Sequence, residues 1–428
     1  MRPVDRRNFL AIAGDFVFFG IGVSFASQTT VLPSFIATLT SSTLLIGLVS
    51  TLANGGWLLP QLFAANATAG KARRKAAVLV PAVMNRAVFL AIGPLMLLLV
   101  PNRPAAALAV FFSLYGLFYL LDGVASVSWL DILGKSLTPV LRARLISVGQ
   151  AGSGVAGIAV GILVGVILAS DRLPYPTNYV LLISLSGVMF ALSIGSLAFL
   201  REEPEYTGAR PLPWPDFFRR LRHILREDRN FRRAVIVQIL FTLSGAATPF
   251  YVIHGLESLA FPGLSVGIFT SAQVAGGVVS ALFIGYIGEK RGTRAVMRLW
   301  GLMSFATPLL ALALTLARPV FPASALMYAY ALVFVIVGAQ GNSLMAGFLN
   351  YVLESAPASS RTVYIGFANT ASGISLVAPL IGGAILSLSS SYALLFVAAA
   401  VGPVAGLVLS LGLAEPRHHG VPTLPSST

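Results

Sequence analysis

Three ionisable side chains interrupt otherwise apolar stretches of this chain: Asp15, Arg86 and Asp122. Charges inside an apolar environment are costly unless they are paired or hydrated, so such residues often form ion pairs or transfer protons. On a helix, Arg86 would lie eleven residues from Lys75, about 16 Å away, and Asp122 thirteen from Lys135, about 20 Å. The three side chains could therefore meet at a similar depth.

Two kinds of chemistry remain open for these residues. Arg86 and Asp122 could form a static ion pair that holds two helices together, which we favour. Alternatively, Asp15 or Asp122 faces a substrate path, and a substrate that displaces the arginine causes a proton to be released or captured. Asp15 lies eight residues from Arg7, about 12 Å along a helix. Because it has no certain partner, it is the better candidate for a proton carrier.

Twelve apolar stretches must position these side chains. Each is long enough, at about 1.5 Å per residue, to cross a hydrocarbon core of roughly 30 Å as a helix. In lipid every backbone amide must be paired within its own segment, so such runs indicate helices. We predict an all-α membrane protein with spans at 9–36, 44–64, 77–100, 105–129, 146–169, 179–200, 234–252, 265–287, 295–317, 323–349, 363–388 and 391–413.

The distribution of basic residues predicts the orientation. Hydrophobic residues make up 56% of the chain. Charged residues make up 10%, far below the charged fraction of a soluble domain. With the N-terminus inside, 25 of the 29 Lys and Arg residues fall at cytoplasmic ends or loops, and Arg103, Arg172 and Arg318 fall outside. This asymmetry predicts a multi-pass protein of the plasma membrane with both termini in the cytoplasm.

The same composition argues against several other functions. The net charge of +14 follows the topology of the loops, so we expect no nucleic-acid partner. The absence of cysteine excludes disulfides, thiolate metal sites and cysteine nucleophiles. No stretch matches the phosphate-binding pattern G-x-x-x-x-G-K-[ST], and the four histidines fall outside the apolar stretches, away from the intramembrane acids. We therefore expect no metal, no cofactor, no ATP-driven step and no enzymatic activity.

A weak internal repeat divides the chain into two halves. Arg7-Asn8-Phe9 enters the first stretch, and Arg229-Asn230-Phe231 enters the seventh, 222 residues later. Gly70 and Gly292 match at the same offset, and Pro139 matches Pro357 at an offset of 218. We predict parallel six-helix bundles at 1–200 and 234–414, a basic linker at 201–233 and a cytoplasmic tail at 415–428. In such repeats the substrate site lies between the halves.

The linker contains the amphipathic segment DFFRRLRHILRE, which begins at Asp216. An apolar face bordered by arginines is typical of a helix that lies flat on the anionic inner leaflet. The alternative is a helix that docks a partner protein. We favour the membrane-lying helix.

The loop GYIGEKRGTR, from Gly285 to Arg294, resembles the signature loop of the Major Facilitator Superfamily, with a glycine, an acid, a second glycine and basic residues in order. In transporters of this family the loop helps to lock the outward-open state. The resemblance therefore implies a gating role for Glu289, Arg291 and Arg294, with Gly292 as the second glycine and Gly285 allowing close helix packing. In the first half the copy is degraded, since Ala67 stands where the acid belongs.

A second pair of loops carries charges in a matching layout. Asp131 and Arg144 flank the proline after the fourth stretch, and Glu354 and Arg361 flank the proline after the tenth. Pairs between these groups could break as the halves rock apart, which would make them a cytoplasmic gate. The alternative is ordinary snorkelling of charges at helix ends.

Uncharged polar residues within the stretches outline a predicted substrate path, although interhelical hydrogen bonds would explain the same residues. We expect a monomeric secondary transporter that moves a small molecule by alternating access. The leading hypothesis is proton-coupled export of a hydrophobic, drug-like compound; uptake of a sugar or metabolite and a transport-dead receptor are the alternatives. The path residues are Gln28, Tyr119, Gln238, Gln340 and Asn342.

Overall fold

A computed structural model describes residues 3–68, 75–202, 214–356, 364, 368 and 373–416, and the regular structure in these ranges is helical. Within these described ranges, sixteen α-helices follow one another. They are α1 (Pro3–Phe25), α2 (Val31–Leu39), α3 (Thr43–Thr68), α4 (Lys75–Leu99), α5 (Pro104–Ser136), α6 (Pro139–Leu168), α7 (Thr177–Ala198), α8 (Trp214–Glu227), α9 (Arg229–Thr242), α10 (Phe250–Glu257), α11 (Leu264–Arg291), α12 (Thr293–Leu316), α13 (Ala323–Ser343), α14 (Asn350–Ser355), α15 (Ala378–Ser389) and α16 (Tyr392–Ser410).

The predicted fold class is confirmed. In the described part of the chain, eleven helical segments are long and apolar enough to cross a membrane, and the shorter apolar helix α15 lies where the eleventh stretch was predicted. Helix starts follow local capping chemistry. Thr138 accepts a hydrogen bond from the backbone of Leu141 before the Pro139 that begins α6, and Asp228 accepts one from Phe231 at the start of α9.

Several spans are built from more than one helical piece. The first span is interrupted between α1 and α2 at Ala26–Thr30, and the seventh is interrupted between α9 and α10 by a short 3₁₀ segment, Leu243–Ala246. The tenth span passes from α13 through a π-helical turn, Leu344–Leu349, into α14. Such breaks expose backbone groups, which transporters place where a cavity or a moving contact needs them.

The chain forms two compact units whose bounds differ from a simple division into halves. Unit 1 contains Met1–Pro211 and Pro249–Val274, and unit 2 contains Leu212–Thr248 and Ala275–Thr428. The ends of the seventh and eighth spans that lie away from the linker therefore group with the first six spans. The boundary falls at the interruption of the seventh span, between Thr248 and Pro249.

Small residues along α6 allow neighbouring helices to pack closely against it. Gly149 lies against Phe16, and Ser153 lies against Gly20 of α1. Farther along α6, Gly161 and Gly165 have no side chains, so the backbone of Gly267 in α11 crosses in direct contact with them. Small residues allow membrane helices to approach this closely.

The linker segment forms helix α8, which docks on unit 2 at its C-terminal end. Ile224 and Leu225 pack against a buried cluster that includes Phe231 and Trp300. On the opposite face, side chains including Arg222 are exposed. The apolar side chains in the last turn of α8 therefore pack against unit 2. We retain as a proposal that the basic face of α8 contacts lipid headgroups.

Candidate functional site

Arg86 and Asp122 meet inside unit 1. Arg86 Nη1 lies 2.9 Å from Asp122 Oδ1, and both residues are at least nine-tenths buried. Asn85 bridges the pair, because its amide nitrogen donates to Asp122 Oδ1 at 3.1 Å while its oxygen accepts from Arg86 at 2.7 Å. A buried ion pair is tolerated only when further hydrogen bonds satisfy its remaining polar atoms. Asn85 supplies part of that satisfaction.

Asp15 is held by neutral donors from two other helices. Trp129 Nε1 of α5 donates to Asp15 Oδ2 at 2.8 Å, and Ser193 Oγ of α7 lies 2.5 Å from Asp15 Oδ1. The carboxyl group is buried, with Arg86 and Asp122 as its charged neighbours. The prediction that Asp15 has no certain partner is therefore wrong, because rotation of α1 turns it toward α5 and α7.

A group of aromatic rings packs beside this cluster. The Arg86 guanidinium lies 4.9 Å from the ring centroid of Phe19, which contacts Phe190. Phe190 in turn packs against Phe89 and Phe118 at centroid distances of 4.9 and 5.1 Å. An arginine over an aromatic face gains a cation–π contact of about 2 kcal/mol when desolvated. The charges thus lie in the core of the first bundle, among α1, α4, α5 and α7.

Three members of this cluster were not predicted: Asn85, Trp129 and Ser193. Asn85 adjoins Arg86 in sequence, so a second polar residue beside an intramembrane arginine is a signal that could have found it. Trp129 and Ser193 carry no such signal, because their contribution depends on how α5 and α7 are rotated about their axes.

Two of the five predicted path residues form interhelical hydrogen bonds. Gln340 Nε2 donates to Thr307 Oγ1 of α12 at 2.8 Å, and Asn342 Nδ2 donates to the Gly277 carbonyl of α11 at 2.5 Å. These two amides satisfy polar groups between helices, which was the alternative interpretation of the predicted path. Gln238 is fully buried in α9.

The other two path residues lie in unit 1. Tyr119 packs beside Tyr115 with ring centroids 5.0 Å apart. Gln28 lies in the interruption of the first span, and its backbone carbonyl accepts from Ser50 Oγ at 3.1 Å. Asn54 and Gln150 are exposed amides on α3 and α6.

The signature loop has a different geometry from the one its pattern implied. Gly285 is exposed, and no atom of the described residues lies within 4 Å of where a Cβ would stand, so the expected close packing is not seen among them. Glu289 and Arg291 are also exposed. Gly292 has φ of +80° and caps α12, a conformation that favours glycine. Arg294 Nε lies 3.6 Å from Glu415 Oε2.

Arg294 belongs to a basic cluster that caps the end of α16. Its Nη1 donates to the Leu413 carbonyl at 3.1 Å, Arg298 donates to the Ser410 carbonyl at 3.1 Å, and Arg233 donates to the Gly412 carbonyl. The last carbonyls of a helix have no intrahelical partner and carry partial negative charge, so cations stabilise them. This contact lies wholly within unit 2.

The first half contains the same arrangement at the end of α7. Arg7 Nε donates to the Phe199 carbonyl at 2.6 Å, and Lys75 Nζ donates to the Leu200 carbonyl at 2.7 Å. Asn8 binds the backbone of Arg201 with both its amide atoms, at 2.9 Å each. Many basic residues on the linker side therefore have a capping role in addition to a topological one.

The asparagines and acids of the two halves correspond as well. Asn230 accepts from the Ala414 backbone at 3.0 Å, as Asn8 does from Arg201. Glu202 accepts from the Lys75 backbone at 2.7 Å at the start of α4, and Glu415 lies against Gly292 at the start of α12. An acid at a helix N-terminus is favourable. The two halves therefore repeat these contacts as well as the Arg-Asn-Phe sequence.

Replacing Gly292 by Ala is expected to lower the melting temperature and to cost more than about 1 kcal/mol. The new methyl group would meet the Glu415 carboxylate, and its backbone would be strained at positive φ. Gly285→Ala is the matched control in the same loop region, because its site is open. Equal melting temperatures for the two variants in detergent would contradict this account of the loop.

The second set of predicted gating charges is only partly brought into contact. Lys135 Nζ pairs with Asp131 Oδ2 at 2.9 Å within one helix, and Glu354 Oε2 accepts from Thr293 Oγ1 at 2.9 Å. Arg144 is exposed. Arg361 lies outside the described residues, as do Gly70 and Pro357 of the internal repeat.

At the side away from the linker, unit 1 contains a compact polar seal. Thr29 Oγ1 donates to Gln273 Oε1 at 2.5 Å, and the hydroxyls of Thr30 and Thr270 lie 2.7 Å apart. Ser271 Oγ donates to the Ile158 carbonyl at 3.0 Å, beside the crossing of α6 and α11. The seal joins the interruption of the first span to the N-terminal part of α11, which forms the eighth span.

The sequence matches the model of a known protein family. The family model described as Major Facilitator Superfamily matches residues 15–375. The chain belongs to the Major Facilitator Superfamily. A search of curated proteins finds no match for the individual chain.

Solved transporters of similar fold cover nearly the whole of this superfamily member. A D-xylose–proton symporter is 14% identical with a TM-score of 0.68, covering 97% of this chain and 99% of its own. The xylose transporter XylE from E. coli, in a partially occluded inward-open conformation, is 12% identical with a TM-score of 0.68, covering 98% and 100%. An autoinhibited peptide transporter of the POT family is 11% identical with a TM-score of 0.69, covering 99% of each chain.

Family membership and fold make this superfamily member a multi-pass membrane protein and a secondary transporter. At these identities the solved structures establish the fold, while cargo depends on the individual site.

Proposed function

We propose that this protein moves a neutral or lipophilic small molecule out of the cell, driven by protons, through alternating access of its two six-span halves. The observation that carries the cargo assignment is the state of Arg86. This buried cation is already paired with Asp122 and lies over the ring of Phe19, so it is not available to bind an anionic substrate. Apolar pockets with a few polar groups suit lipophilic ligands.

Support for alternating access comes from contacts that can open and close. The polar seal of unit 1 uses hydroxyl and amide hydrogen bonds together with a glycine crossing. Each such interhelical bond contributes about 0.6 kcal/mol on average in membranes, so the seal can break at modest cost. On the linker side we retain Glu289, Arg291 and Arg294 as proposed gating groups.

Uptake of a sugar or similar metabolite is the second candidate. The exposed amides Asn54 and Gln150 are placed along α3 and α6, where hydrogen-bonding groups would recognise hydroxyls. Two solved structures of similar fold are described as xylose transporters, although their identity to this chain is only 12–14%.

The positive-inside pattern supports a plasma-membrane location with both termini in the cytoplasm. We further propose a monomer that acts as a carrier without enzymatic activity. On this orientation the linker side is cytoplasmic and the polar seal is extracellular.

The test begins with melting curves of purified protein against a broad panel of lipophilic compounds and sugars, at about pH 5.5 and about pH 7.5. A compound that binds the folded state raises the melting temperature by mass action. Hits are then tested in proteoliposomes that contain a pH-sensitive dye. We expect saturable flux of a lipophilic hit with counter-movement of protons. Flux of sugars alone would favour the second candidate, and the absence of saturable flux for every hit would contradict transport.

A further inference from the structure

The segment that contains α8 and the start of α9 is rich in arginine and contains no lysine. From Trp214 to Arg233 it holds seven arginines and three acids. A guanidinium presents a planar fork of donors that matches two oxygens of one phosphate, whereas a lysine acts as a point charge. Either residue type would provide general attraction to an anionic surface, so the exclusive use of arginine favours recognition of phosphate groups.

The exposed arginines of α8 share one face of the helix. Arg219, Arg222 and Arg226 are exposed and follow one another at spacings of three and four residues. On a helix of 3.6 residues per turn they lie within about 60° around the axis. Ile224 and Leu225 lie on the other side, where they pack against the buried cluster of unit 2. Docking of the apolar side therefore leaves the three guanidinium groups facing away from that cluster.

The chain turns at Asp228, and the next exposed arginine stands at the start of a membrane span. Asp228 has φ of −91° and ψ of 90°, and α9 begins at Arg229. Arg229 is exposed and precedes the predicted start of the seventh span by five residues, about 8 Å along a helix. Lipid phosphates lie in the interfacial layer just outside the hydrocarbon core. Arg229 is therefore within reach of that layer, and α8 leaves the chain at the same depth.

Hydrogen bonds within unit 2 hold the corner between α8 and α9. Asp228 Oδ1 accepts from the backbone of Phe231 at 2.8 Å, and Asp228 Oδ2 accepts from Tyr364 Oη at 2.9 Å. Arg232 Nη1 donates to the Leu225 carbonyl, near the end of α8, at 2.9 Å. The backbone that carries the exposed arginines is thus ordered before any ligand binds, which lowers the entropic cost of binding.

We propose that Arg219, Arg222, Arg226 and Arg229 form a binding surface for the phosphate groups of anionic phospholipids on the linker side of the membrane. The guanidinium groups donate to phosphate oxygens, and the excess of arginines over acids attracts headgroups of net negative charge. Bound lipid connects α8 to the first turn of α9 and stabilises the corner at Asp228. The surface depends neither on the cargo nor on transport, and on the orientation proposed above it contacts the cytoplasmic leaflet.

Native mass spectrometry of the purified full chain in detergent tests this surface. The protein is titrated with dioleoylphosphatidylglycerol or with the zwitterionic dioleoylphosphatidylcholine, and we expect phosphatidylglycerol to bind more tightly. Arg222→Gln combined with Arg226→Gln should weaken that binding roughly 30-fold, since each arginine near an anionic surface contributes about fivefold. Arg222→Lys combined with Arg226→Lys retains the charge and should restore only part of the binding, because the planar fork is lost.

Arg103→Gln combined with Arg172→Gln is the matched control, because it removes the same charge from exposed residues of other loops. It should leave the binding of phosphatidylglycerol unchanged. Equal losses in the two glutamine variants, or full binding in the lysine variant, would show diffuse attraction and overturn the phosphate site. Equal binding of the two lipids, or displacement of phosphatidylglycerol by an equal concentration of inorganic phosphate, would overturn the assignment to anionic lipid.

Melting curves in detergent without added lipid separate binding from folding. The substituted arginines are exposed, so each variant should melt close to wild type. A loss of lipid binding with unchanged melting is then a property of the surface. Because no cargo is present in these measurements, failure of the proposed transport would leave the lipid result standing, and loss of the lipid preference would leave transport untouched.

Discussion

Replacement of Arg86 by Met is expected to cost about 3–5 kcal/mol, because it leaves Asp122 buried without its cation. The loss extends beyond one bond: Asn85 loses its donor from Arg86, and the contact with Phe19 disappears. Methionine fills a similar volume, so the effect reports mainly on charge. The measurement is the melting temperature and the yield of monodisperse protein in mild detergent.

Two comparisons make this prediction specific. Arg103→Met removes an exposed arginine from a loop and should melt close to wild type. The double variant Arg86→Met, Asp122→Asn should recover part of the loss, because both members of the pair are then neutral. Asp122→Asn alone should be milder, since Asp15 remains near Arg86 to balance its charge. If Arg86→Met melts like Arg103→Met, the pair is not a stabilising element.

The second large effect is expected at the crossing of α6 and α11. Gly267→Leu places a side chain where the backbone of Gly161 and Gly165 already lies, so it opposes closure of the polar seal. Overpacking costs typically 1–3 kcal/mol, which corresponds to a roughly 5- to 150-fold shift toward the open state. Gly267→Leu should therefore expose residues of the seal to the outside.

A single cysteine reports this opening without background, because the chain contains no natural cysteine. Thr30 is a buried member of the seal, so a cysteine at this position should react slowly with a membrane-impermeant maleimide applied outside. In the Gly267→Leu background the labelling rate should rise by the factor given above. Gly285→Leu on the same helix is the control, since its site is open. Unchanged labelling in Gly267→Leu would refute the proposed gate.

Many residues of the site could be predicted from the sequence, but the partners that each side chain contacts could not. The apolar context of Asp15, Arg86 and Asp122 singled them out, and their depth along the helices placed them at one level. Whether a carboxyl group meets the arginine, a tryptophan or a serine depends on rotation about each helix axis. Apolar spans without clear periodicity leave that rotation undetermined.

The signature loop illustrates the same limit. Its pattern correctly indicated the family, yet no described residue packs closely against Gly285, and Arg294 caps the end of α16. A motif records which residues are present, while their partners here come from a segment more than a hundred residues away. The repeated loops predicted two related halves. The matching hydrogen bonds that Asn8 and Asn230 accept from backbone amides are seen only in the tertiary structure.

The sequence by itself determined the helical spans, the membrane setting, the predicted orientation and the internal repeat, because lipid forces each segment to satisfy its own backbone. These properties are local and additive along the chain. The tertiary structure decided the partners of Asp15, the grouping of Pro249–Val274 with the first six spans and the open site at Gly285. Those features depend on side-chain packing between distant segments, and no local pattern encodes it.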